Sequence, residues 1–210
     1  MYERILVVSP HTDDGELGCG GTIARMIEDG KEVFYTALSS CEKSVPDGCQ
    51  KDILRQEVHK ALDILGVPKN NRFIYSFENR IFPAIRHQIF EALEDLHKEI
   101  QPELVLVPSL EDTHQDHSTT TKEAIRAFRR DKGSLISYEL PWNNLSFRTS
   151  LYFKLEEKYI NKKINALKCY KSQINKRYFS EKFILAIAEA RAAQIDAKFA
   201  EAFDVIKLIF

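Results

Sequence analysis

The sequence predicts an α/β fold: a Rossmann-like, mostly parallel sheet with helices on both faces, in a single domain over residues 1–210. Three observations predict it. Short apolar runs rich in β-branched residues alternate with segments of helical period through the first 130 residues, the pattern of successive βαβ units. Those runs are nearly continuous in apolar residues, as strands covered on both faces must be. No linker, internal repeat or low-complexity tract divides the 210 residues, a length that buries a sizeable core as one unit.

The elements follow in order. Arg4 to Ser9 (RILVVS) reads as the first strand, and the polar stretch PHTDDGELGCGG after it as a loop. A helix is expected from Thr22, ending at Gly30. Glu32 to Leu38 (EVFYTAL) is the second strand, and SSCEKSVPDGCQ a loop by its Ser, Pro, Asp and Gly content. An amphipathic helix from Asp52 to Leu65 is closed by Gly66. Arg72 to Phe77 is the third strand, Ala84 to Ile100 a helix, and Glu103 to Pro108 (ELVLVP) the fourth strand. The loop SLEDTHQDH leads into a helix from Ser118 to Arg130, with Asp116 or Ser118 as candidate caps. Leu135 to Glu139 and Leu151 to Leu155 are further strands, separated by the loop LPWNNLSF. Two helices, Glu156 to Ser172 and Glu181 to Phe199, close the chain, their Lys and Glu residues reading as solvated faces.

Composition narrows the function classes. Hydrophobic residues make up 44% and charged residues 29%, which excludes disorder, and the net charge of −1 lacks the basic footprint of a nucleic-acid binder. No apolar run reaches the roughly 18 residues of a membrane span, and the N-terminus has no secretory h-region. Cys19, Cys41, Cys49 and Cys169 form no CxxC pair and read as free thiols of a cytoplasmic protein.

Two clusters carry chemistry. His11-Thr12-Asp13-Asp14 follows the first strand, and His114-Gln115-Asp116-His117 follows the fourth. Ligands of open parallel sheets bind outside the carboxyl ends of the strands, so both clusters lie on the expected edge. Singly, each residue could be a loop or capping residue. Together they offer imidazole nitrogens and carboxylate oxygens suited to zinc, whose catalytic sites use three protein ligands and one open position. Gly18, Gly20 and Gly21 fit no dinucleotide fingerprint, because Ile23 stands at the sixth position counted from Gly18. These glycines are expected to let the helix pack closely on the sheet. No GxSxG elbow exists.

PHTDDGE and HQDH resemble the signatures of the PIG-L/LmbE-like family of metal-dependent N-deacetylases. LRQE at Leu54–Glu57, PSLEDTHQDH at Pro108–His117, YKSQ from Tyr170 and AEAF at Ala200–Phe203 extend the resemblance over nearly the whole chain. It implies that His11, Asp14 and His117 hold one zinc, or another divalent ion, per chain. It implies that Asp13 is the general base, that His114 stabilises the oxyanion or protonates the amine, and that Asp116 orients an imidazole. Arg55 matches an arginine placed near substrate, and the family's substrates are mostly N-acetylglucosamine conjugates. Family members are often homo-oligomers. Thr12 in place of the usual proline and Gly15 before Glu16 depart from the commonest pattern, and the second leaves open whether Glu16 is the family glutamate.

The expected function is removal of an N-acetyl group from a small amino-sugar conjugate by metal-activated water. Trp142 and Asn143 would meet the sugar through face stacking and hydroxyl hydrogen bonds. Arg80 and Arg86 are candidates for an anionic group, weighed against plain surface arginines. The alternatives are a metallophosphoesterase, whose two metals need bridging carboxylates, and a metal-binding protein of the same fold without catalysis.

Overall fold

The computed structural model describes residues 2–46, 48–129 and 133–209. Its single sheet has seven strands in the order β3-β2-β1-β4-β5-β7-β6. Strands β1 (Arg4–His11), β2 (Glu32–Ser39), β3 (Arg72–Ile74), β4 (Leu104–Pro108) and β5 (Ser134–Tyr138) are parallel. Strands β6 (Leu151–Leu155) and β7 (Phe199–Lys207) extend the edge with antiparallel pairings. The expected mostly parallel α/β sheet is therefore observed.

Successive residues of β1 face opposite sides and nucleate two cores. Ile5 and Val7 pack with apolar residues of α1 (Asp14–Glu28), α2 (Ile53–Leu65), α5 (Glu157–Leu167) and α6 (Glu181–Ala193). Leu6 and Val8 face α3 (Arg86–Ile100) and α4 (Gln115–Ala127). Helices thus cover both faces, which is why β1 and β4 carry no polar alternation. Helix α2 ends on Gly66 at φ 93, the left-handed closure the sequence predicts.

Three expectations need correction. The GELGCGG stretch is helix, not loop: α1 starts at Asp14, eight residues before Thr22, and kinks at Cys19. The kink strands backbone amides in mid-helix, and Glu201 takes two of them, Gly21 N at 3.0 Å and Thr22 N at 2.7 Å. Lys163 neutralises this buried carboxylate at 2.6 Å. Glycine is required here by close approach: a Cβ on Gly18 would lie 2.2 Å from the Tyr138 ring, and one on Gly21 2.6 Å from Leu155. The chain also ends in a strand rather than a helix, since α6 stops at Ala193 and Phe199–Lys207 inserts between β5 and β6. Finally, α4 opens at Gln115, inside the HQDH cluster, and its cap is His114, whose Nδ1 accepts from Asp116 N at 3.2 Å. The expected end of this helix at Arg130, like Asp47 in the earlier loop, lies outside the described residues. Among the described residues no helix is long and apolar enough to cross a membrane.

Candidate active site

The strand order reverses between β1 and β4, and the carboxyl ends of these two neighbours bring the clusters together. Strand β1 ends on His11, and α1 starts three residues on with Asp13 at its N-cap. Helix α4 starts one residue after His114, so His117 lies in its first turn. The imidazole rings converge, with centroids 5.1 Å apart for His11–His114, 5.0 Å for His11–His117 and 4.5 Å for His114–His117.

Three donor atoms form a tight triangle. His11 Nδ1 lies 3.1 Å from Asp14 Oδ2 and 3.1 Å from His117 Nε2, and His117 Nε2 lies 3.2 Å from Asp14 Oδ2. Each ring is held from behind by a second carboxylate. His11 Nε2 donates to Asp116 Oδ2 at 3.0 Å, and His117 Nδ1 donates to Asp112 Oδ2 at 2.8 Å. Asp116 is itself anchored by the amides of Arg80 at 2.5 Å and Phe82 at 3.2 Å. With a cation bound and their protons on those outer nitrogens, the rings would turn lone pairs toward the point that the carboxylate oxygen of Asp14 also faces. The spacing would suit a cation among the three atoms; without one, a proton on a ring nitrogen joins the imidazoles to Asp14.

The titration behaviour follows from that crowding. Burial opposes a charged imidazole, yet Asp14 and Asp112 hold His117 up at about 10. His11 is likewise raised despite burial, through Asp116 and Asp14. Burial would raise Asp14, but His117 and His11 bring it well below the usual carboxylate range. A tetrahedral ion with bonds of about 2.0–2.1 Å spaces its ligands by about 3.3 Å, so two imidazoles and a carboxylate at 3.1–3.2 Å fit a zinc-type ion. His114 also lies near, its donor atom within a 4.8 Å group with those of His11 and His117. Its Nδ1 is already committed to the Asp116 amide, which leaves the proton on Nε2. Burial and the neighbouring His117 and His11 depress its pKa, keeping the ring neutral.

Asp13 lines the same cavity, and its side chain makes no capping hydrogen bond to α1. Burial, and then the charge of Asp14, push its carboxyl up to about 6. Three residues further on, buried Glu16 accepts from the Tyr35 hydroxyl and lies 2.6 Å from the Tyr170 hydroxyl, which also donates to the Thr12 carbonyl. The single Tyr170 proton cannot serve both acceptors, so the carboxyl of Glu16 supplies the other. Burial raises Glu16 to about 8, which keeps that proton in place.

An open cavity of about 370 Å³ lies above the triangle. Trp142 and Asn143 line it, the indole stacked on Tyr178 with centroids 4.0 Å apart and planes within 9°. Arg55 does not line it. Helix α2 turns Leu54 toward the cavity and Arg55 away, where its Nη2 donates to Ser76 Oγ at 2.7 Å. Arg86 is taken by Glu123 at 2.9 Å, whereas Arg80 reaches the cavity. Asp112 was not singled out in the sequence, although its place five residues before His117 in the same loop was the available signal. Gln173, Lys176 and Tyr178 also went unpredicted. Their loop is fastened by Ser172, whose N and Oγ bond Glu57 at 3.0 and 2.6 Å, so the LRQE and YKSQ segments are one structural tie.

The family described as PIG-L, GlcNAc-PI de-N-acetylase, matches residues 6–128. An uncharacterized deacetylase, YaiS of Escherichia coli K12, is 31% identical over 173 residues, covering 80% of this chain and 90% of that protein. The diacetylchitobiose deacetylase of Thermococcus kodakarensis is 31% identical over 111 residues, covering 50% of this chain and 40% of that enzyme. Among solved structures, the N,N'-diacetylchitobiose deacetylase of Pyrococcus horikoshii superimposes with a TM-score of 0.83 at 21% identity, covering 98% of this chain and 84% of that one. GalB, the 4-carboxy-2-hydroxymuconate hydratase of Pseudomonas putida KT2440, does so with a TM-score of 0.80 at 22% identity, covering 99% and 98%. The fold alone therefore hosts more than one reaction.

Proposed function

From the premise that this chain belongs to the PIG-L family, we propose that it is a zinc-dependent hydrolase removing an N-acetyl group from an N-acetylglucosamine-type conjugate. The deacetylases among its relatives support hydrolysis of an N-acetyl group, and the diacetylchitobiose enzyme supports an amino-sugar substrate. The observation that carries the reading is the triangle of His11 Nδ1, Asp14 Oδ2 and His117 Nε2 with the uncommitted carboxylate of Asp13 beside it.

His11, Asp14 and His117 would hold the ion. A zinc ion in such a site lowers the pKa of water from near 16 to about 7 and polarises a carbonyl oxygen. Asp13 takes the proton of the attacking water, a task suited to a carboxyl that burial has raised to about 6. His114, neutral with its proton on Nε2, donates a hydrogen bond to the developing oxyanion. That assignment leaves Asp13 to return its proton to the amide nitrogen, which must be protonated before it can leave. Asp116 and Asp112 act behind the rings, fixing tautomer and orientation of His11 and His117. Trp142 and Asn143 receive the sugar.

One ion per chain is expected. Asp112 and Asp116 are both turned to the outer edges of imidazoles, so neither can bridge to a second metal as a phosphoesterase would require. We read residues 1–210 as one domain, because all seven strands join one sheet, and as cytoplasmic, with four free cysteines and no need of a disulfide. Acetate release from N-acetylglucosamine conjugates by the zinc-loaded protein tests the reading, with Asp13→Asn as control. Release by wild type alone supports it. Equal release by both proteins removes Asp13 from the mechanism, and no release from any amide conjugate overturns the deacetylase.

A further inference from the structure

The cavity above the triangle has a neighbour. Leu17, Trp142 and Tyr178 line both that cavity and a second pocket of about 30 Å³, which lies between α1, α6 and β7. A space of that size takes about one or two water molecules, or a methylene or two in their place. Its four charged lining residues are joined in two ion pairs, Glu139 with Arg191 at 2.7 Å and Lys163 with Glu201 at 2.6 Å. Most of the remaining wall is apolar, supplied by Leu17, Trp142, Phe183, Ile184 and Ala188. Leu17 is the part of the shared partition nearest in the chain to Asp13 and Asp14. Its N–H donates to the Asp13 carbonyl at 3.0 Å, the bond of one helical turn, which sets Leu17 on the same face of α1 as those two carboxylates. The side chain is buried, so it fills the wall between the two spaces.

Amide geometry decides what this wall meets. The carbon under attack is planar and carries three substituents. Its oxygen faces the His11–Asp14–His117 triangle and His114. Its nitrogen bears the rest of the substrate, whose bulk must point to the open mouth of the cavity. The acyl carbon is left facing the closed side, and within one helical turn of Asp13 that side is Leu17, backed by the Trp142–Tyr178 stack. We propose that Leu17 sets the length of the acyl group: it meets the methyl of an acetyl amide and closes off the second pocket, which would otherwise receive the longer chain of a propionyl or butyryl amide. The inference rests on the deacetylase reading and concerns the acyl end of the substrate alone. Hydrolysis balances identically for every chain length, since water oxygen joins the acyl carbon, the carbon–nitrogen bond breaks, and a carboxylic acid and an amine leave. Selection is therefore a matter of fit, and a methylene without space is worth about tenfold or more in kcat/KM.

The test uses the methyl glycosides of N-acetyl-, N-propionyl- and N-butyrylglucosamine. Each is read twice, as kcat/KM for amine release by zinc-loaded protein and as Kd by calorimetry on metal-free protein. Wild type should favour the acetyl over the butyryl compound by about tenfold or more. Leu17→Ala opens the wall and should lower that acetyl-to-butyryl ratio by about tenfold. Adding Ala188→Leu to it refills the second pocket from α6 and should restore the ratio. The ratio is the diagnostic quantity because a general disturbance of the cavity changes all three compounds together. Thermal unfolding checks each variant, and where Leu17→Ala does not fold, Leu17→Val removes one carbon and should admit the propionyl compound alone. A ratio unchanged in a folded Leu17 variant overturns the assignment. An equal shift in Leu54→Ala, which borders the cavity but not the second pocket, overturns it as well. Hydrolysis of the three compounds at equal kcat/KM by wild type overturns it while leaving the deacetylase standing. A Leu17-dependent preference in Kd without hydrolysis of any compound supports the acyl wall and overturns the deacetylase, and neither preference nor hydrolysis overturns both.

Discussion

Substitution of Asp112 by asparagine probes the candidate metal site through a residue that would never touch the ion. The Asp112 side chain is fully buried, and its two oxygens accept from different donors. Oδ2 takes His117 Nδ1–H at 2.8 Å, and Oδ1 takes the backbone N–H of His114 at 2.8 Å. Asparagine keeps the shape but has only one oxygen. If that oxygen faces His117, the new amide group points its hydrogens at the His114 N–H. If it faces His114, the amide donates to His117 Nδ1, drives the proton to Nε2 and removes the lone pair from the triangle. Either arrangement loses one charge-assisted hydrogen bond, worth about 1.5–3 kcal/mol. At about 1.4 kcal/mol per tenfold, zinc affinity should fall about 10- to 100-fold. Competition against a chromophoric chelator measures that affinity, and thermal unfolding of the metal-free variant checks that the fold survives. A folded Asp112→Asn protein binding zinc within twofold of wild type would refute the reasoning.

Asp13→Asn should retain its metal and lose about 100- to 10,000-fold in kcat, read as acetate release beside metal content; loss of both would reassign Asp13 as a ligand. Because Asp13 must be ionised to act and burial holds it near 6, kcat/KM should climb with pH along an acidic limb at or below about 6, a bound cation moving the limb down. A limb above pH 7 would exclude Asp13 as its source. Glu16 is raised to about 8 in the fold, so folding loses stability as pH rises from the ordinary carboxyl range near 4.5 toward 8, where only the unfolded chain ionises. Glu16→Gln should therefore gain on wild type across that window, by on the order of 4 kcal/mol at pH 8, and parallel chemical-denaturation curves at pH 5 and pH 8 would contradict this. Gly18→Ala should destabilise by about 1–3 kcal/mol or more, since its Cβ would meet the buried Tyr138 ring at 2.2 Å, and an unchanged melting temperature would show that the helix can retreat.

The sequence by itself determined the alternation of strands and helices in the first 130 residues, the buried character of β1 and β4, and the bounds of β6. It also located both chemical clusters, because a functional group at the end of a parallel strand is a local feature. His11 stands where an apolar run stops, and His114 to His117 where the next one gives way to a helix. The tertiary structure decided what depends on partners distant in the chain. GELGCGG has poor helical propensity, yet it is helix because Glu201, 180 positions away, receives the amides freed at its kink. Phe199–Lys207 follows a helix-favouring stretch, and becomes strand because two strand edges flank it. Arg55 and Leu54 are neighbours in sequence, but the rotation of a helix sends only Leu54 to the cavity. Asp112 looked like one polar loop residue among several until the fold aimed it at His117, and Lys176 had no motif to mark it until its loop was tied back through Ser172 to Glu57. Local chemistry is written in neighbouring residues. Which carboxylate supports which imidazole is fixed only when strands far apart in the chain lie side by side.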